Sequence, residues 1–231
     1  MDQFTLPLAL FNFLPVLLTA VGLGFLVHLL GHLRSDLRGW AMVGAALVVA
    51  GGLSKAIWKL LATLTGQDVV WLSNALFLLI GPGFILLAAI AWAVFRRVDM
   101  APRKYVVLGW GLVGIALACM VAGVRTWGLE ITRGWFLPFM LLTTLGNLGL
   151  MALLIRRGWQ ARQWGVIGLL LVNVLVVFAL QPIAMAGADT LAMQWLEQVI
   201  TALGSLCLAV ALWLLVRAAG DSGDEPKPIG T

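Results

Sequence analysis

The sequence has very little charge and very little cysteine. Asp, Glu, Lys and Arg make up only 11% of the 231 residues, whereas 62% are hydrophobic, a balance that excludes an ordinary soluble domain. The two cysteines, Cys119 and Cys207, lie within long apolar stretches. There, cysteine is more often a small core residue than part of a disulfide or a metal site. The composition therefore predicts a polytopic membrane protein.

Motifs of catalysis and of cofactor binding are also missing. The chain has no His-Glu-x-x-His helix, no Gly-x-Ser-x-Gly elbow and no phosphate loop, and its acidic residues do not cluster as an acid and base would. The chain has only two histidines, His28 and His32, which are too few for a metal site. Both lie on one helix face, so they cannot hold a haem iron from opposite sides. We expect no catalytic residues, no metal and no cofactor, with His28 as a hydrogen-bonded interior group.

Long apolar runs occupy most of the chain. A helix needs about 20 residues to cross a hydrocarbon core of about 30 Å. Seven runs reach that length: 6–32, 39–64, 69–95, 104–124, 133–155, 164–186 and 191–217. The sequence predicts an all-α integral membrane protein with seven transmembrane helices, forming one domain over residues 1–219. The polar stretch 220–231 is expected to be a disordered cytoplasmic tail.

Basic residues gather on one side of these helices. They follow predicted helices 1, 3, 5 and 7: Arg34, Arg38, Arg96, Arg97, Arg103, Lys104, Arg156, Arg157, Arg162, Arg217 and Lys227. The opposite side carries Arg125 and Arg133 beside Asp2, Asp68, Glu130 and Asp189. By the positive-inside rule, the N-terminus is outside and the C-terminus inside, in a cell (inner) membrane. The net charge of +5 is then an insertion signal and implies no nucleic-acid partner.

The first apolar run is not expected to be a signal peptide. The residues before it, Met1-Asp2-Gln3, contain no basic residue, and the run exceeds the length of a signal-peptide core. We therefore expect it to stay in the protein as the first transmembrane helix.

The chain repeats itself at an offset of about 124 residues. The matching positions are Phe13-Leu14-Pro15 with Phe136-Leu137-Pro138, Thr19 with Thr143, Gly22 with Gly146, Arg38 with Arg162, Trp40 with Trp164, Gly44 with Gly168, Val48 with Val172, and Trp71-Leu72 with Trp195-Leu196. We interpret this as two three-helix repeats, about 6–97 and 133–217, joined by a linker helix at 104–124. The alternative is that two triple spans with basic inner loops look alike without duplication. One intervening helix makes the repeats parallel, and the interface of such repeats near the membrane midplane is a favoured binding site.

This arrangement of three, one and three helices resembles the topology of SWEET and related PQ-loop transporters, and more loosely that of microbial rhodopsins. Pro15 and Pro138 lie in the first helix of each repeat, as prolines do in SWEET-like proteins. The resemblance implies a solute site between the two halves. The chain departs from both families, because predicted helix 7 has no lysine to hold retinal and Gln181-Pro182 reverses the Pro-Gln order. Only the architecture is therefore carried over.

Lysines inside predicted helix 2 are the sharpest functional signal. Lys55 and Lys59 are four residues apart and so project from one helix face. A charge at the bilayer centre costs about 2.5–3.5 kcal/mol and usually faces an interior or a pathway. We expect these lysines to line an outward-opening cavity, where they attract an anionic ligand or pair with an acid, for which Glu197 is the best candidate. The alternative is a structural ion pair or a lysine that snorkels to the interface.

Two amides and three prolines complete the predicted site. Asn74 and Gln198 each follow a repeated tryptophan by three residues, so their amides are expected to face the shared axis and bind a polar solute. Pro15, Pro82 and Pro138 are hinge candidates because proline removes a helical hydrogen bond, although simple packing is the alternative.

These features predict a small-solute transporter or permease whose site lies between two helical repeats. The alternatives are a ligand-sensing receptor module that signals through a protein partner, or an accessory subunit of a membrane complex. Expected partners are the lipid bilayer, a small-molecule or lipophilic ligand, and a membrane or cytoplasmic protein.

Overall fold

The computed structural model describes residues 5–96, 101–186 and 190–221, and every regular element in these residues is a helix. The α-helices are α1 (Leu6–Phe11), α2 (Phe13–Leu33), α3 (Arg38–Thr65), α4 (Val70–Phe95), α5 (Ala101–Gly123), α6 (Phe136–Gln160), α7 (Trp164–Ala186) and α8 (Leu191–Asp221). A 3-10 turn at Ser35–Leu37 precedes α3, and a π-helical turn at Val124–Gly128 follows α5. The predicted all-α class is confirmed. Predictions for Asp2, Arg97, Asp189 and residues 222–231 fall outside the described residues.

Six helical segments are long and apolar enough to cross a membrane: Leu6–Leu33, Ser35–Thr65, Val70–Phe95, Val106–Gly128, Phe136–Gln160 and Leu191–Gly220. A shorter apolar stretch, Trp164–Leu180, lies in α7, at the place of the predicted sixth span. The chain is therefore a helical integral membrane protein, with six membrane-length helices in the described residues and α7 as a further candidate.

Helix ends differ from the predicted spans where the loops are basic. The helix α6 continues to Gln160, five residues beyond the predicted end of its span, and passes Arg156 and Arg157 on the way. The helix α8 continues through Asp221, two residues into the stretch predicted as a disordered tail. The reason is that charge limits how deep a residue sits in the membrane, whereas arginine is a good helix former.

The first membrane segment is broken at Asn12, between α1 and α2. Pro15 lies four residues after Phe11, has no N–H to donate to the Phe11 carbonyl, and would crowd it. The break is slight, because Asn12 keeps αR backbone angles and its N–H still donates to the Leu8 carbonyl, four residues earlier, at 3.2 Å. Pro15 consequently stands at the third residue of α2, in the first turn, where a missing donor costs little.

Six helices form a closed ring. The helix α2 packs on α3, α3 on α4, α4 on α6, α6 on α7, α7 on α8, and α8 again on α2. The helix α5 packs on α4 and α6 from outside the ring. From α2 onward, successive helices run in opposite directions. We call the end at which α2, α4, α6 and α8 begin the Asn12 end.

Close backbone approaches occur where α2 meets α8 and where α4 meets α6. A Cβ added to Gly22 of α2 would lie 3.1 Å from the Ala209 Cα of α8. A Cβ added to Gly146 of α6 would lie 2.8 Å from the backbone nitrogen of Ile85 in α4. Gly22 and Gly146 are 124 residues apart, and so are Ile85 and Ala209. We call these two contacts, α2 with α8 and α4 with α6, the seams of the ring. The two seams use matching positions of the sequence.

The half of the bundle opposite the Asn12 end is solidly packed. Its largest fully buried side chains come from late α2, late α4, the middle of α6, early α7 and late α8: Leu26, Leu30, Leu87, Ile90, Leu150, Leu154, Leu170 and Leu212. His28 does not join this core. It is exposed on the outer face of α2 beside His32, with ring centroids 6.4 Å apart, so its predicted interior placement is wrong. The apolar side chains of neighbouring leucines fill the interior in its place.

Candidate functional site

A cavity of about 320 Å³ lies inside the ring, in the half nearer the Asn12 end. Residues of α2, α3, α4, α6, α7 and α8 line it, together with Asn12, and none of the described lining residues belongs to α5. Its volume is at the lower end of the range, about 300–1,000 Å³, that is usual for small-molecule sites. An occupant of this cavity would touch every helix of the ring.

Most positions that line the cavity occur in pairs 124 residues apart. Eight such pairs are present: Val16 and Met140, Thr19 and Thr143, Val49 and Asn173, Gly52 and Val176, Ala56 and Leu180, Phe77 and Thr201, Ile80 and Gly204, and Phe84 and Leu208. Each pair has one member in α2, α3 or α4 and the other in α6, α7 or α8. The cavity walls therefore come from matching positions of the two triple-helix segments, although only Thr19 and Thr143 are identical.

The ion pair of Lys55 and Glu197 breaks this correspondence. Lys55 Nζ lies 2.8 Å from Glu197 Oε1, both residues line the cavity, and the pair connects α3 to α8. The positions 124 residues away are Ala179 and Ser73, and neither lines the cavity. The side chains of Lys55 and Glu197 are 33% and 17% exposed, so the pair is only partly shielded. Among the described residues that line the cavity, Lys55 and Glu197 are therefore the charged ones.

Lys59 lies one turn beyond Lys55 on α3 and is only 3% exposed. It is not among the residues that line the cavity, but it lies within electrostatic range of Lys55 and Glu197. The Lys59 side chain is buried in the bundle, whereas a lysine that snorkels would extend to the membrane interface. Nearby, Trp58 Nε1 donates to Asp68 Oδ1 at 2.8 Å. This hydrogen bond connects the end of α3 to the turn between α3 and α4.

Four buried amides line the cavity, at Asn12, Asn147, Asn173 and Gln198. Asn12 is 6% exposed, and its Nδ2 has no hydrogen-bond acceptor among the described residues. Gln198 is 3% exposed and follows Glu197 directly on α8. Asn74, at the matching position of α4, is half-buried and does not line the cavity. Of the two predicted amides, the structure brings only Gln198 to the charged pair.

Hydroxyl groups on the cavity wall are mostly satisfied within the protein. Thr143 and Thr144 donate to carbonyls one turn earlier in α6, at 2.8 and 3.0 Å, and Thr201 donates to the Glu197 carbonyl at 2.6 Å. These three hydroxyls therefore offer lone pairs, and not protons, to an occupant. Asn173 Nδ2 similarly donates to the Gly204 carbonyl at 2.9 Å and connects α7 to α8.

The three predicted hinge prolines differ in position. Pro15 and Pro138 are each the third residue of a helix, where a proline interrupts no helical hydrogen bond. Of the three, Pro82 is the one beyond the first turn of its helix, where it lies between Gly81 and Gly83 of α4. A Cβ at Gly81 would lie 3.2 Å from the Phe139 carbonyl oxygen of α6, and one at Gly83 would lie 2.8 Å from the Gly44 carbonyl oxygen of α3. Bending at Pro82 stays a prediction.

Sequence reasoning did not single out Asn12 or Asn147. The internal repeat of the sequence could have predicted part of the cavity, because its offset of 124 residues pairs most of the lining positions. That signal does not extend to Asn12 and Asn147, since their matching positions, Phe136 and Leu23, do not line the cavity.

No protein-family model, no curated protein and no solved structure matches this chain. The topological resemblance to SWEET transporters and microbial rhodopsins therefore stays an expectation.

Proposed function

We propose that this chain is a small-solute transporter of the cell (inner) membrane and that it binds its solute in the cavity between two three-helix halves. The halves are α2–α4 and α6–α8, related by an axis along the membrane normal, and the N-terminus is outside. The single observation that carries the proposal is that eight pairs of cavity-lining positions share one offset in the sequence.

Paired walls support transport because a transport site of this kind is expected where the two halves meet. The halves touch along two seams, α2 with α8 and α4 with α6, with matching glycines at both. In parallel-repeat transporters the halves rock about such a site, which becomes accessible from one side and then from the other. The packed core beyond the cavity supplies the closed side of such a site.

The test compares two phenylalanine variants at neighbouring positions of α3. Ala56 lines the cavity and is 2% exposed, so Ala56→Phe places a ring in the site. Ile57, the matched control, is exposed on the outside of the bundle, where Ile57→Phe leaves the cavity unchanged. Proteoliposomes receive a mixed panel of small organic acids, amines and neutral solutes, and mass spectrometry measures uptake. We expect wild type and the control to accumulate a solute that Ala56→Phe does not.

Two results would contradict transport. If wild-type proteoliposomes accumulate nothing beyond empty liposomes, or if Ala56→Phe transports as well as Ile57→Phe, the cavity is not a transport site. A stoichiometric protein partner that co-purifies with the inactive wild type would then favour the sensor module or the accessory subunit.

A further inference from the structure

The charged side chains on the cavity wall neutralise each other. Lys55 and Glu197 are the charged residues among the described lining residues, and their ammonium and carboxylate are in contact at 2.8 Å. Lys59 does not line the cavity, so it offers an occupant no contact. The described wall thus presents no unpaired charge to a ligand. An ion that entered would lose its water without gaining a counter-charge, which is costly inside a protein.

Amide groups, in contrast, are left without partners on this wall. Of the four buried amides, Asn173 donates to the Gly204 carbonyl. No hydrogen bond joins the side chain of Asn147 or Gln198 to another described residue, although these two residues are only 5% and 3% exposed. Asn12 Nδ2 likewise has no acceptor among the described residues. Because a buried polar group without a partner is unfavourable, these three amides favour an occupant that forms hydrogen bonds with them.

The unpaired amides need a ligand that both accepts and donates hydrogen bonds. An amide side chain has two N–H donors and a carbonyl acceptor. A carboxylate only accepts and would leave the amide carbonyls unpaired, whereas an ammonium only donates and would leave the N–H groups unpaired. The hydroxyls of Thr143 and Thr201 already donate to helix carbonyls, so they add further acceptors to the wall. An uncharged polar group with donors and acceptors is the best match.

The rest of the wall is apolar and limits the size of an occupant. Val16, Val49, Ile80, Val176 and Leu208 line the cavity. Its volume of about 320 Å³ is near the lower limit for small-molecule sites and suits a compact body better than a long chain. The wall therefore fits a small apolar body that carries uncharged polar groups.

We propose that the cavity binds an uncharged solute with a compact apolar body, whose polar groups both donate and accept hydrogen bonds as an amide does. The amides of Asn12, Asn147 and Gln198 supply its hydrogen-bond partners, and Lys55 and Glu197 stay paired with each other. The assignment deepens the proposed transport function, on which it rests, by naming the class of solute. It is tested by binding, so that the two proposals can fail separately.

The experiment uses probes that share one apolar body and differ in their polar group. Benzamide donates and accepts, its isostere acetophenone only accepts, and benzoate and benzylamine each carry a charge. Oleamide represents an amide that comes from the lipid phase. Binding to purified wild-type protein in detergent is measured by native mass spectrometry and by the shift in unfolding temperature. We expect benzamide to bind about fivefold more tightly than acetophenone, as for one hydrogen bond, and more tightly than either ion or oleamide.

Amide variants locate the binding groups. Gln198→Met is expected to weaken benzamide binding about fivefold, and Gln198→Met with Asn147→Leu is expected to remove the preference for benzamide over acetophenone. Asn74→Leu is the matched control, because Asn74 holds the position that corresponds to Gln198 in the repeat but does not line the cavity. It should leave both affinities unchanged.

The stability of the ligand-free variants separates a binding role from a structural one. Since Asn147 and Gln198 have no side-chain hydrogen bond to a described residue, their replacement removes no such bond. We expect the double variant to unfold at or above the wild-type temperature without ligand. A markedly lower unfolding temperature would show that the two amides hold the fold together, and it would overturn their assignment to a ligand.

A charge variant tests why ions are excluded. Glu197→Gln leaves the Lys55 ammonium without its carboxylate, so we expect it to bind benzoate about 10- to 100-fold more tightly than the wild type does, as for a hydrogen bond to a charged group. If this variant does not fold, Lys55→Gln should raise the affinity for benzylamine by a similar factor. Unchanged affinities for both ions would contradict the role given to the ion pair.

Other outcomes with the wild type also overturn the assignment. Tighter binding of benzoate or benzylamine would make the solute an ion, equal binding of acetophenone would remove the role of the donor, and tighter binding of oleamide would replace the compact solute with a lipid amide. Binding of no probe would leave water as the occupant. Uptake of an organic ion that depends on Ala56 would refute the uncharged solute and leave the transport proposal standing. Binding of benzamide without any uptake would do the reverse.

Discussion

Thr19 of α2 donates a hydrogen bond of 3.0 Å to the Ser205 hydroxyl of α8. The positions 124 residues away, Thr143 and Gly81, also face each other, because a Cβ at Gly81 would lie 3.2 Å from Thr143 Oγ1. Gly81 has no hydroxyl, so Thr143 donates to the Phe139 carbonyl of its own helix instead. The two seams of the ring thus share positions but differ in one interhelical hydrogen bond.

This difference predicts unequal effects of one substitution at two matching threonines. Thr19→Val removes the bond between α2 and α8 and is expected to lower the free energy of unfolding by about 0.6 kcal/mol, the average for interhelical bonds in membranes. Thr143→Val removes only a bond within α6, and we expect a smaller change. Unfolding titrations in mixed micelles measure both. A larger effect of Thr143→Val would mean that the α2–α8 bond is not the stabilising one.

Glycine substitutions test the close backbone contact between α4 and α6. A Cβ at Gly146 would lie within 3.0 Å of backbone atoms of Phe84 and Ile85, which cannot rotate away. We therefore expect Gly146→Ala to lower the free energy of unfolding by about 1–3 kcal/mol, as for overpacking. Gly24 of α2 has nothing within 4 Å of such a Cβ, so Gly24→Ala should be neutral or slightly stabilising. Thermal unfolding compares the two, and equal effects would argue against a close seam.

The partly buried ion pair predicts that its two charges are coupled. Glu197→Gln leaves the Lys55 ammonium without its carboxylate and is expected to lower stability by about 2 kcal/mol. That is below the roughly 3–5 kcal/mol of a fully buried pair, because Lys55 is one-third exposed. Adding Lys55→Gln is expected to recover most of that loss. A double-mutant cycle of unfolding free energies measures the coupling, and additive losses would show that the pair contributes little.

Cysteine labelling tests the orientation. In a variant with Cys119→Ser and Cys207→Ala, single cysteines are introduced at Gln67, in the turn between α3 and α4, or at Ser35, before α3. Both positions are exposed and lie at opposite ends of the bundle. A membrane-impermeant maleimide should label Gln67→Cys on intact cells and Ser35→Cys only after permeabilisation. The reverse pattern would place the N-terminus inside.

Much of the fold follows from apolar length, which is why the predicted spans and the observed helices largely coincide. The set of side chains that face the interior does not follow from apolar length. Asn74 and Gln198 hold matching positions, but only Gln198 reaches the cavity, because nothing in a linear pattern states how each helix is rotated in the ring. Lys59 shows the same gap, since a lysine stem is long enough either to snorkel or to stay inside. Tertiary packing decides between such options.

Pairing of Lys55 with Glu197 was predictable because charges inside spans are few and seek partners. Asn12 was not, because its position depends on the turn that Pro15 imposes between α1 and α2. Helix α5 was predicted only as a linker. In the part of the chain that the structure describes, it packs on α4 and α6, and none of its residues lines the cavity.

The cavity takes three of its walls from each triple-helix segment, so neither segment encloses it alone. A newly made α2–α4 hairpin in the bilayer would present Lys55 to lipid, without Glu197, until α8 is inserted and docks. Helix α8, which is synthesised after the other helices of the ring, therefore closes the ring and supplies the carboxylate, so a formed Lys55–Glu197 ion pair marks an assembled ring.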